Sequence, residues 1–90
     1  MLSGGMLVDM PAVFNVPSAS AYLIRFVAQA AAANVRVRAG TEAAPFFLTM
    51  NLTVPNMQSH TQGWVPGPQT YVSTVNGLAQ VWLQLCGFAT

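Results

Sequence analysis

At 90 residues the chain has room for one hydrophobic core and no second domain. Only 6% of its residues are charged, there is no lysine and the net charge is +1, whereas an ordinary soluble domain carries about 25% charged residues. With 53% hydrophobic residues, such a surface lacks the means for electrostatic nucleic-acid binding, and part of it is expected to be covered by identical subunits or a larger particle.

Met1 to Gly5 reads as a flexible amino-terminal arm, because Ser3-Gly4-Gly5 offers nothing to pack. The opening MLSGGMLVDM has no basic region and reaches Asp9 after a short apolar run, so no secretory signal is expected. Residues 6–90 form a single small β-rich domain in this reading. Met6 to Asp9 and Ala12 to Val16 suggest two short strands hinged at Pro11, which cannot donate to a ladder.

Two periods fit the next segment. At 3.6 residues per turn, Tyr22, Leu23, Phe26, Val27 and Ala30 share a face, with Arg25 and Gln29 opposite; Ser18 or Ser20 could cap it, and alanines favour helix. At period 2, Tyr22, Ile24, Phe26 and Ala28 line one face and Leu23, Arg25, Val27 and Gln29 the other. The cleaner helical pattern predicts a helix over about 20–33, from Ser20 to Ala33. Arg25 and Gln29 interrupt the apolar window from Ala19 to Val35, so it is not expected to span a membrane.

Val35 to Ala39 alternates, with Val35, Val37 and Ala39 inward and Arg36 and Arg38 outward; Gly40-Thr41-Glu42 reads as the following turn. Phe46 to Val54 predicts a nine-residue strand, central or along an extended edge, with Phe46, Leu48, Met50, Leu52 and Val54 on its inner face. Residues 55–68, PNMQSHTQGWVPGP, contain three prolines and two glycines and read as a long loop, with Trp64 in its midst.

The stretch from Gln69 to Phe88 carries the strongest local signal. Asn76-Gly77 lies between runs rich in Val, Leu, Thr, Tyr and Trp and suits a type I′ turn, predicting a β-hairpin. Its register sets Val75 opposite Leu78, Val72 opposite Val81, Tyr71 opposite Trp82 and Thr70 opposite Leu83. Thr70, Val72, Thr74, Ala79, Val81, Leu83 and Leu85 then face the core, and Gln69, Tyr71, Ser73, Gln80, Trp82 and Gln84 face outward. A helix over Gly77 to Cys86, capped by Asn76 and Gly87, is the competing pattern; it leaves Tyr71 to Val75 without a partner. The fold class that results is mainly β: a small antiparallel sheet or β-sandwich of four to six strands, with a C-terminal Asn-Gly hairpin and one helix.

Groups for chemistry are sparse. Asp9 and Glu42 are the only carboxylates and His60 the only histidine, so neither a nucleophile with an oriented base nor paired carboxylates can be assembled from neighbours in sequence. One His, one Cys and two carboxylates, scattered, make no metal cluster, and no glycine-rich loop precedes a helix in the manner of a phosphate site. No catalytic residue, metal or cofactor is therefore expected. Arg36 and Arg38 suit ion pairs with Glu42 or Asp9 better than nucleic acid. Asn51-Leu52-Thr53 matches a glycosylation sequon but also fits the polar side of a strand. Cys86 is alone, which precludes an internal disulfide framework and fits a small hydrophobe at the core edge.

What remains is surface. Tyr71 and Trp82, flanked by Gln80 and Gln84, and the segment carrying His60 and Trp64, are the candidate subunit or partner contacts, because aromatic and amide side chains without charge suit docking onto another uncharged surface. The function class these features imply is a non-enzymatic assembly protein. It would be a homo-oligomer on a larger protein lattice, such as a virus or phage capsid-decorating or cementing subunit, located in the virion or otherwise the cytoplasm. A carbohydrate-binding module stacking sugars on Trp82, Tyr71 or Trp64 is the alternative. An amphipathic membrane anchor at Tyr22 to Val35 lacks the basic residues it would need.

Overall fold

The computed structural model describes residues 2–89. Seven strands and one short helix run β1 (Gly5–Asp9), α1 (Met10–Phe14), β2 (Ala21–Gln29), β3 (Val35–Gly40), β4 (Leu48–Leu52), β5 (Gln58–Pro66), β6 (Gln69–Val75) and β7 (Gln80–Ala89). They form two antiparallel sheets, β1-β6-β3-β4 and β5-β2-β7. The mainly β fold holds, with one strand more than the four to six anticipated. Among the six connections only β3 to β4 stays within a sheet; the other five cross from one sheet to the other.

One core cluster joins the inner faces. Tyr22, Ile24, Phe26 and Ala28 of β2, Val35, Val37 and Ala39 of β3, Met50 and Leu52 of β4 and Val72 of β6 are all buried in it. The segment predicted as a helix over about 20–33 is therefore strand β2, paired on both sides, and its period-2 pattern is the one realised. Helix propensity distinguishes ordinary residues by at most about 0.7 kcal/mol each. Burying a Phe or Ile side chain is worth about 1.5–3 kcal/mol, and as the central strand β2 buries every second residue from Tyr22 to Ala28 completely. Tyr22 keeps its hydroxyl satisfied by donating to Pro17 O and accepting from Ala19 N, both at 3.0 Å.

The C-terminal hairpin is not formed. Both edges of β6 are occupied, by β1 and β3, so β7 has no place beside it and pairs with β2 instead. Asn76 does take the left-handed φ of 70°, but φ at Gly77 is 149°, away from the roughly +90° that a type I′ turn requires there. The segment instead carries the chain across the sandwich. Asn76 Nδ2 donates to Asn34 O at 3.1 Å, and Ala79 is buried and bridged to Leu2. The inward and outward sorting of the two strands nevertheless follows the alternation, except at Ser73, which was expected to face outward and is buried. Val72, Thr70 and Thr74 are buried, Val81, Leu83 and Leu85 pack on the core, and Trp82 is exposed.

Four further expectations are corrected. The predicted 55–68 loop contains β5, a nine-residue strand. Its inner positions Ser59, Thr61 and Gly63 are small and only half-buried, leaving Val65 alone to mark the core side. Residues 2–5 of the expected flexible arm are tied down: Leu2 N donates to Ala79 O at 2.8 Å, and Gly4 O accepts from Thr74 N at 2.7 Å. Met1 lies outside the described residues. The predicted strand from Phe46 to Val54 shortens to β4, with Phe46, Phe47 and Val54 exposed beyond its ends. Ala12 to Val16, expected as a strand, falls in α1 and its C-terminal turn, where Asn15 is left-handed.

Candidate functional site: the outer face of the three-stranded sheet

Cross-strand pairing builds this surface row by row, because partners in an antiparallel ladder point to the same side. On β5, β2 and β7 the outward rows are Gln58-Gln29-Gln80, His60-Val27-Trp82, Gln62-Arg25-Gln84, Trp64-Leu23-Gly87 and Pro66-Ala21-Ala89. Five of the six residues singled out in the sequence thus meet on one face: His60 and Trp64 from one edge strand, and Gln80, Trp82 and Gln84 from the other. Trp64 and Trp82 are 50% and 47% exposed. With strands about 4.8 Å apart and about 3.3 Å per residue, their backbones stand roughly 16 Å apart on a diagonal.

Tyr71 is not part of this face. It lies on β6, opposite Leu7 and Gly40 in the other sheet, so its predicted pairing with Trp82 does not occur. Its hydroxyl lies over Gly5, where any Cβ would collide with it. The outer face of the four-stranded sheet also carries Arg36 and Arg38. Arg36 Nε donates to Asn51 Oδ1 at 3.1 Å, an amide rather than the carboxylate expected. Arg38 Nε and its cross-strand neighbour Ser73 Oγ are buried without a hydrogen-bond partner among the described residues.

Leu23 and Val27 escaped the sequence reading as members of the surface because the helical pattern placed them on the apolar face with Tyr22, Phe26 and Ala30, opposite Arg25. The period-2 alternative puts them, with Arg25 and Gln29, on one side, and that signal was present in the residues. Arg25 is the single charge on the five rows, flanked by Gln62 and Gln84.

A bulge shapes one end of the face. Pairing steps between Ile24-Leu85 and Leu23-Gly87, leaving Cys86 as the extra residue. That step keeps Leu85 packed on the core and sets Phe88, itself 43% exposed, on the same side as Tyr22, whose ring lies 6.5 Å from its own. Cys86 is exposed rather than packed at the core edge.

Beside β7 the sandwich is open. A cleft of about 570 Å³ runs between β1 and β7, lined mainly by apolar side chains, among them Met6, Val8, Val13, Phe14, Val81 and Leu83. Among the described residues no three His, Cys, Asp or Glu side chains come together, and no helix is long and apolar enough to cross a membrane. Compared with known protein families, curated proteins and solved structures, the chain matches none.

Proposed function

We propose that this protein is a non-enzymatic assembly subunit that docks through the outer face of its three-stranded sheet, as an accessory component of a virus or phage particle such as a capsid-decorating or cementing subunit. The supporting observation is the make-up of that face: five rows of three residues with two exposed tryptophans, five glutamines and one charge. Apolar rings remove area from water at about 25 cal/mol per Å², and the glutamines supply donors and acceptors to a partner without the desolvation cost of buried charges. The particle setting rests on composition: a charge-poor chain gains solubility from being covered.

Sedimentation velocity over a wide concentration range tests the reading. The native chain is expected to run as an oligomer, and Trp82→Ser on β7 to shift it toward smaller species. A native chain that stays monomeric at high concentration overturns it.

The same two tryptophans on one face also favour a second reading, a carbohydrate-binding module in which the rings stack on sugars and the glutamines bond hydroxyls. Glycan-array binding that disappears with Trp82→Ala would favour it over assembly.

A further inference from the structure

We infer that a second copy of this chain pairs with the free edge of β7, antiparallel about a two-fold axis, so that two three-stranded sheets become one of six strands. The inference deepens the assembly reading and rests on it.

The four outer strands of the sandwich differ in how they are protected. β4 and β5 lie against each other. The five-residue β1 ends at Asp9, with the hydroxyl of Tyr71 lying over its first residue, Gly5. β7 is ten residues long, QVWLQLCGFA, with no charge and no proline, and its only irregularity is the bulge at Cys86. Short length, charge, proline, bulges and covering elements are the usual guards of a sheet edge, and of these β7 has only the bulge, toward its C-terminal end. Among the described residues, β2 is its only ladder partner, and no turn, loop or cap supplies another backbone bond to Gln80–Phe88.

Charge selects the occupant and the geometry. A two-fold through the middle of the outer face would set Arg25 against its own copy, whereas a two-fold beside β7 brings no charged side chain of either strand together. The strand is also self-complementary when centred on Leu83. Leu83 then meets Leu83 of the second copy, Val81 meets Leu85 on the inner side, and Trp82 meets Gln84 on the outer side. The apolar set stays inside and the aromatic-amide set outside, as a shared sheet requires. The clefts beside the two β7 strands adjoin across the axis, giving Met6 and Val13, 55% and 63% exposed, a second apolar surface to face. A stable pair buries roughly 800 Å² per partner, about a sixth of the 4855 Å² surface.

Cys86, the single cysteine and exposed, provides the test. In this register Cys86 and its copy are six residues apart along adjacent strands, roughly 20 Å at about 3.3 Å per residue. Nitroxide labelling of Cys86 in the native chain, read by pulsed electron–electron resonance, is expected to give a separation centred near that value. Gln84→Arg, which adds like charges beside the axis and next to the two Arg25 side chains, should raise the dissociation constant at least tenfold, while Gln58→Arg on the far strand β5 should leave it unchanged. Dissociation by the label of an oligomer that the unlabelled chain forms also supports β7 as the contact. An oligomer that is intact after labelling but has no Cys86 separation below about 30 Å, or that is indifferent to Gln84→Arg, overturns the β7 pairing and leaves the assembly reading standing. A native chain monomeric at every concentration overturns both.

Discussion

The two long sides of the sandwich handle the same physical problem differently. On one side β4 and β5 close against each other, and Leu48 occupies the space above Gly63, where an added Cβ would lie 2.6 Å from its Cδ2. The connection leading into β4 is tied by its own bonds: Thr41 N donates to Ala44 O at 3.1 Å, and Ala44 N to Thr41 Oγ1 at 2.9 Å. On the other side β1 and β7 diverge around an apolar cleft, with Met6, Val13 and Trp82 exposed along it. One side covers its edges within the chain, by packing and not by a shared ladder. The other leaves backbone donors, acceptors and apolar area for a partner, which is where a subunit contact has the most to gain.

Substitutions can break or sharpen this contrast. The largest loss belongs to β2, on which both sides depend: Phe26, fully buried, should cost about 3–5 kcal/mol of folding free energy when changed to Ala. Urea denaturation below the association threshold measures it, and a loss under about 1 kcal/mol would mean that the sheets do not pack through this strand. On the closed side, a Cβ at Gly40 would overlap Ala44 O. Gly40→Ala should therefore cost about 1–3 kcal/mol in the same assay, with no change in association once the protein is folded.

At the crossing that feeds β7, Asn76 holds φ at 70° and bonds Asn34 O. Asn76→Ala should destabilise by about 1–2 kcal/mol, and Asn76→Gly by less, because glycine keeps the backbone conformation and loses only the bond. On the open side the effects should separate. Met6→Ser and Val13→Ser should each change monomer stability by less than about 0.5 kcal/mol while raising the dissociation constant of the pair several-fold in analytical ultracentrifugation. A stability loss as large as that of Gly40→Ala would show that the cleft is part of the core and not a contact.

Much of the fold was legible because alternation is a local signal. Val35, Val37 and Ala39 are buried and Arg36 is exposed, as the run VRVRA states. The same holds for Met50 and Leu52 on β4. β5 was hidden because Ser59, Thr61 and Gly63 on its inner side carry no apolar alternation, and the prolines and glycines around it read as loop. β2 was ambiguous because Tyr22, Phe26 and the alanines satisfy both periods. Only the two flanking strands, each contributed by a distant part of the chain, settle it. The candidate face was half visible in Trp64, His60, Trp82 and the glutamines. That they share a surface depends on β2 lying between their strands.

By itself, then, the sequence determined which side of most strands faces the core, and that its few charges stay out of it, because burial preference acts residue by residue along a period-2 backbone. Tertiary structure alone decided who pairs with whom. Asn76-Gly77 ensures that the chain turns, but a turn does not choose a sheet. β6 has two hydrogen-bonding edges, and Gly5–Asp9 and Val35–Gly40 take both. β7 is thereby sent to the opposite sheet, where it pairs with β2, parts Trp82 from Tyr71, joins it to Trp64 on one face, and leaves its own outer edge open.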